Sequence, residues 1–185
     1  MTDQGQRKHA DMWVEPEDDP RGQEFTHGER ETLLDYLDGY RKTLVMKCDG
    51  LTPEQLATAS VPPSNLTLLG LVRHMAAVEQ SWFRRVMGRD LTIPRLYVKA
   101  EDRDADFTQV EPTQECADEA FASLRREVEH AKAYVDSQPD LSVTGTHDDG
   151  EIELREVLVH MIEEYARHCG HADLLRECID GRTGQ

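Results

Sequence analysis

The residues best suited to chemistry in this chain are two histidines and a glutamate on two segments of helical character. In the run from Glu151 to Leu175, Glu164 and His168 stand four positions apart. On a helix, residues at i and i+4 share one face, so a carboxylate and an imidazole there converge on one point. The apolar stripe of that helix is set by Leu154, Val157, Leu158, Met161, Tyr165, Ala172 and Leu175, and Glu164 and His168 project into it. A charged carboxylate on a core face is costly unless something compensates it. A metal ion would do so, and so would an Arg or Lys partner, or a proton. Glu-x-x-x-His alone is common on solvated helices, and His74 is what adds weight. It is the one histidine of an earlier helix, placed beside Leu71, Met75 and Val78 at the border of the apolar face. A histidine in such a place is either a hydrogen-bonded core residue or a third ligand facing Glu164 and His168 across a bundle centre.

Three such N/O ligands with room for water describe a catalytic metal site rather than a sealed structural one. Without thiolates, Zn²⁺, Ni²⁺, Mn²⁺ and Fe²⁺ are all admissible. His160 and His171 lie along the edge of the same stripe, either as contacts to the ligands or substrate or as plain polar edge residues. Arg73, Arg167 and Tyr165 are candidates to orient an anionic group, although arginines on such helices are more often plain surface residues. Cys169 follows His168 directly, but on a helix it points about 100° away from it, which argues against a cysteine nucleophile.

The elements that must position these groups read as an all-α chain. Residues 1–24 are acid-rich, hold Pro16 and Pro20, and carry little apolar material beyond Met12, Trp13 and Val14. They read as a flexible arm, with Trp13 either folded back over a groove or a lone tail residue. The bundle should occupy residues 25–185. A first helix begins near Phe25, with Thr26 and Glu29 as a capping box, and carries Leu33, Leu34, Leu37, Tyr40, Leu44 and Val45 until Gly50. Thr52-Pro53-Glu54-Gln55 opens a short helical turn, and Val61 to Asn65 is an extended connector. A second helix from about Thr67 to Met87 has Leu68, Leu71, Val72, Met75, Val78 and Trp82 as its apolar face. From Arg89 to Glu111 no period is sustained, so a long loop, a candidate lid, follows. A third helix from about Thr113 to Ser137 buries Ala117, Phe121, Leu124, Val128, Ala131 and Val135. A polar turn from Gly145 to Gly150 leads to the fourth helix, about Ile152 to Ile179, with Gly181 placed to cap it. Four long helices and few convincing strands predict one antiparallel bundle.

Charge narrows the partners. With 37 Asp+Glu against 21 Lys+Arg, the formal charge is −16, which disfavours nucleic acid and anionic membrane surfaces. No stretch approaches the roughly 18 apolar residues of a membrane span. Cys48, Cys116, Cys169 and Cys178 are scattered with no CxxC pair, a spacing that predicts a reducing compartment, the cytoplasm.

Glu29-Arg-Glu-Thr-Leu-Leu, Pro62 through His74, Glu79-Gln-Ser-Trp-Phe and Glu163 through Glu177 together resemble the DinB/YfiT-like superfamily of four-helix metalloenzymes. The likeness is strongest to its actinobacterial branch and extends over roughly residues 25–181. It implies an up-down-down-up bundle and dimerisation. It also implies a metal held by one His of the second helix and an H-x-x-x-H or E-x-x-x-H pair of the last: by position, His74, Glu164 and His168. The Glu-bearing version resembles the mycothiol-dependent maleylpyruvate isomerase relatives more than the all-histidine members. His171 matches a position often His or Gln just after the ligand, where it would support the ligand. The implied activity is a thiol-dependent transferase or isomerase, or a hydrolase, acting on a small electrophilic substrate with a low-molecular-weight thiol as cosubstrate. The alternative is a non-catalytic, stress-associated metal-binding protein in which the ion only staples the bundle.

Overall fold

The computed structural model describes residues 12–21, 27–147 and 150–184. Four long helices dominate: α1 (Glu29–Cys48), α3 (Leu68–Glu79, extended by π-helical turns over Gln80–Met87), α5 (Gln114–Ser137) and α6 (Leu154–Asp180). Two four-residue helices, α2 (Pro53–Leu56) and α4 (Ala105–Thr108), interrupt the connections, and a hairpin of β1 (Thr144–His147) and β2 (Gly150–Glu153) precedes α6. α1 packs along α6 and α3 along α5, while α3 also touches α6 and α1. The second and fourth long helices therefore meet, as the sequence predicts.

The apolar periodicity explains most of this packing. All seven residues predicted for the buried stripe of α6 are 2% exposed or less. On α3, Leu68, Leu71, Val72 and Met75 are buried as expected, but beyond them the buried face turns to Ala76, Glu79, Gln80, Phe83 and Met87, leaving Val78 and Trp82 half-buried. On α1, Leu37 and Leu44 are core residues, whereas Val45 is exposed.

Helix ends follow local chemistry. Thr52 accepts from Gln55 N while the Gln55 side chain takes the Thr52 N–H, a complete capping box at α2. Thr67 and Thr113 cap α3 and α5 by accepting from Gly70 N and Cys116 N. Gly181, at φ +77°, closes α6 in the left-handed conformation. The capping box expected from Thr26 and Glu29 falls partly outside the described residues. Thr26 lies outside the described residues, and Gly28 occupies the N-cap with no side-chain cap bond.

Two segments differ from the sequence expectation, and a third decides between two readings. Beside the predicted polar turn, an antiparallel strand pair matches Thr144 with Glu153 and His147 with Gly150. It lies against the end of the π-helical segment so closely that a Cβ on Gly145 would fall 2.7 Å from the Val86 carbonyl. The stretch from Arg89 to Glu111 is not a plain loop, because it contains α4 and is tied to the bundle. Leu96 N donates to Gln80 Oε1 (3.0 Å), and Arg85 donates to the Ile93 carbonyl (2.6 Å). Finally, of the two readings for Trp13, the folded-back one is what forms. Its ring is 3% exposed, with Arg182 3.8 Å, Lys47 4.0 Å and Arg176 5.1 Å from the ring centroid. Three cations around one indole ring anchor this part of the arm. Residues 1–11 and 22–24 of the predicted arm lie outside the described residues.

Candidate metal centre

α3 and α6 bring His74, Glu164 and His168 together. One ligand atom from each lies within 4.8 Å of the other two. The ring centroids of His74 and His168 are 4.8 Å apart in an edge arrangement, and His168 Nε2 is 3.4 Å from Glu164 Oε2. The helical spacing of four supplies the second of these contacts, and the α3–α6 packing supplies the first. His168 is 8% exposed, while His74 and Glu164 are half-buried.

The electrostatics favour neutral donors. Burial, with help from neighbouring His74 and His171, lowers the His168 pKa to about 4, so at neutral pH its imidazole keeps a lone pair for coordination. Glu164 makes its ion-pair contacts with imidazoles alone, His168 at 3.4 Å and His160 Nε2 at 3.5 Å. Among the described residues no arginine or lysine bridges to it. The His168 lone pair, the His74 ring and the Glu164 carboxylate converge with no arginine or lysine among the described residues bridging to Glu164, a donor set that fits a divalent ion.

The neighbours divide into those that touch the three groups and those committed elsewhere. His171 Nδ1 lies 3.4 Å from His168 Nδ1, on the far side of that ring from Glu164. His160 touches Glu164 and packs on Trp82, whose other contact is a parallel stack with His147. Arg73, Arg167 and Tyr165 are not available to orient an anion. Arg73 spends its donors on the carbonyls of Asp106 and Ala105. Arg167 pairs with Glu163 at the surface, and Tyr165 is fully buried with its hydroxyl donated to Glu79. Cys169 is buried against the Tyr40 carbonyl, and burial pushes its thiol up to about 12, which rules it out as an accessible thiolate at neutral pH.

The family model of mycothiol-S-transferase matches residues 32–181, a span that includes all three converging residues. The chain belongs to the mycothiol-S-transferase family. A crystal structure of a conserved protein from Enterococcus faecalis superposes with a TM-score of 0.58 at 15% identity, covering 84% of this chain and 99% of that one. At that identity the likeness speaks for the fold alone, and it agrees with the DinB-like helical architecture expected from the sequence. No curated protein matches the chain.

Two features of this family member were missed by sequence reasoning. Asp106 Oδ2 sits 2.8 Å from His74 Nδ1, delivered by α4 across a separation of 32 residues. The alternation of Asp102, Asp104 and Asp106 marks the segment as unusual, but nothing in it singles out Asp106. The second feature is a buried polar cluster beside the site. Arg41 makes a two-pronged bond to Glu79 (2.7 and 2.8 Å), and the Tyr165 hydroxyl donates to the same carboxylate (2.9 Å). A signal for it was present, since Glu79 falls on the stripe of Val72, Met75, Ala76 and Phe83.

Proposed function

We propose that this protein is a metal-dependent S-transferase that joins a low-molecular-weight thiol to a small electrophilic substrate, with His74, Glu164 and His168 holding one divalent ion. The observation that carries the reading is the convergence of these three groups within 4.8 Å, with only imidazoles among the described residues bridging to Glu164. Family membership supports the choice of a thiol, and mycothiol is the thiol the family's name points to.

A bound divalent ion would supply Lewis acidity, lowering the pKa of a thiol presented to it so that the sulfur is nucleophilic near neutral pH. The protein's own residues do the rest. Glu164 contributes the one negative charge of the donor set. His168, kept neutral by burial, and His74 contribute lone pairs. His171 and His160 restrain His168 and Glu164 from outside, at 3.4 and 3.5 Å. Sulfur then forms a C–S bond with the electrophilic carbon as that carbon's leaving group departs, and the thiol proton passes to solvent or buffer. Among the described residues the cluster contains three ligand side chains and no fourth, which favours an enzyme over an ion that merely staples the helices. N and O donors alone admit Zn²⁺, Ni²⁺, Mn²⁺ or Fe²⁺. All four cysteines are unpaired and no helix among the described residues is long and apolar enough to cross a membrane. We place the protein in the cytoplasm on the cysteine usage, with a homodimer as the expected assembly.

The test is metal analysis of protein purified without a histidine tag, together with thiol consumption when mycothiol and an alkylating electrophile are supplied. One metal per chain and thiol loss that requires it are expected. Stoichiometric metal with no consumption of any low-molecular-weight thiol would favour the staple. Protein that takes up none of the four metals would end the proposal.

A further inference from the structure

We propose that Asp106 is the positioning residue for His74, fixing which ring nitrogen is free to coordinate, and that α3 itself straps α4 down to deliver it. The inference rests on the reading of His74 as a ligand and extends it to a residue outside the ligand set.

A neutral imidazole has one N–H and one lone pair, and an ionised carboxylate only accepts. With Asp106 Oδ2 2.8 Å from His74 Nδ1, the proton belongs on Nδ1 and the lone pair on Nε2. Imidazoles that bind metals commonly donate their other N–H in this way, which fixes the tautomer, holds the ring plane and raises the basicity of the coordinating nitrogen. The ring is also held by Phe107, the residue after Asp106, at 4.9 Å between centroids.

A carboxylate on a four-residue helix is a poor anchor unless that helix is fixed, and here the fixing groups come from α3. Arg73, adjacent to His74 in sequence, donates to the Asp106 carbonyl (3.1 Å) and the Ala105 carbonyl (3.0 Å). Its guanidinium lies 4.2 Å from the Tyr97 ring centroid, and its remaining nitrogen is 3.6 Å from Cys116 Sγ. Three residues earlier, Gly70 leaves room for the Phe107 ring, since a Cβ there would approach it to 3.0 Å. The other oxygen of Asp106 accepts from Phe107 N (3.1 Å), so the carboxylate is restrained at both ends. One turn of α3 thus carries a ligand, the clamp for the segment that orients that ligand, and the gap the segment fills. Metal binding and docking of α4 are then coupled, each favouring the other.

The test uses the full-length, tag-free chain and Zn²⁺ as the probe. Asp106→Ala should weaken Zn²⁺ affinity about 10–100-fold with the helical circular dichroism retained. Asp106→Asn keeps an acceptor but loses the charge, so it should lose less; it is the deciding variant if the alanine protein does not fold. In a His74→Ala background, Asp106→Ala should cause no further loss, because Asp106 acts through His74. Nitrogen-15 spectra of the metal-free protein should show His74 protonated on Nδ1 in wild type and moved toward the Nε2–H form in Asp106→Ala. A general loosening of the fold would produce neither the non-additivity nor the tautomer change. Wild-type affinity in a folded Asp106 variant, or a full additional loss on top of His74→Ala, overturns the inference while leaving the ligand set intact. If His74→Ala binds Zn²⁺ as tightly as wild type, the ligand assignment itself falls and takes this inference with it.

Discussion

Two polar clusters join α3 to α6, and they are built to opposite ends. In one, Glu79 is fully buried and saturated, taking two bonds from Arg41 and one from Tyr165. In the other, Glu164 is half-buried and, among the described residues, its ion-pair contacts are with imidazoles, at 3.4 and 3.5 Å. Both carboxylates stand near the bundle interior, and the difference lies in their compensation. The first carries its cation as a side chain, so its lone pairs are committed and the cluster can only be structural. The second faces other lone-pair donors, an arrangement that makes little sense for packing and good sense for a cation supplied from outside. A buried glutamate is thus informative about function only through the company it keeps.

Removing the partner should separate the two most sharply in stability. Glu79→Ala leaves the Arg41 guanidinium buried without its counter-ion and should cost about 3–5 kcal/mol, read as a lowered midpoint in urea. Glu164→Ala in metal-free protein should cost less than about 1 kcal/mol. Equal losses would erase the contrast. For metal binding the ranking should invert. His168→Ala should abolish measurable Zn²⁺ binding near neutral pH with most helicity retained, whereas Tyr165→Phe, which removes only a hydroxyl from the saturated cluster, should bind like wild type. Titration with circular dichroism as the folding control checks both.

Acid should act on the second cluster through His168. Its folded-state pKa of about 4 lies below the ordinary 6.5, so between these values the unfolded chain binds a proton that the folded chain refuses. Stability of the metal-free protein should therefore fall as pH drops through that window and level off below it, and His168→Ala should flatten the slope. A slope unchanged in that variant would assign the effect to other groups. The smallest effect is expected at His171, which touches His168 from behind: His171→Ala should weaken Zn²⁺ binding far less than His168→Ala. If His171→Ala is instead the variant that loses metal, the ligand set is wrong.

Long-period features were legible in the sequence. The stripe of α6 places every predicted residue in the core, and the pair Glu164 and His168 follows from helical spacing alone. His74 needed one further step, the packing of α3 on α6, and the apolar face beside it was enough to supply it. What escaped were contacts made by chain segments with no period of their own. Each strand of the hairpin has four mostly polar residues, so its ladder leaves no alternating apolar pattern. Asp106 rides on a four-residue helix whose placement depends on Arg73, and that arginine read as a surface residue or an anion contact. Trp13 was ambiguous because its three cationic neighbours come from α1, α6 and the C-terminal tail, far apart in sequence.

The chain has two tryptophans, and their placement divides the molecule optically. Trp13 is enclosed by Lys47, Arg176 and Arg182, and Arg182 also donates to its carbonyl (3.1 Å). Its emission therefore reports on the clasp that joins the arm to the end of the chain. Trp82 contacts the rings of His147 and His160, and His160 in turn touches Glu164. A Trp13→Phe protein would carry one tryptophan, whose neighbour His160 touches the proposed ligand Glu164, giving a label-free signal for loading of the site. The reciprocal Trp82→Phe protein would be blind to that event and would follow release of the arm instead.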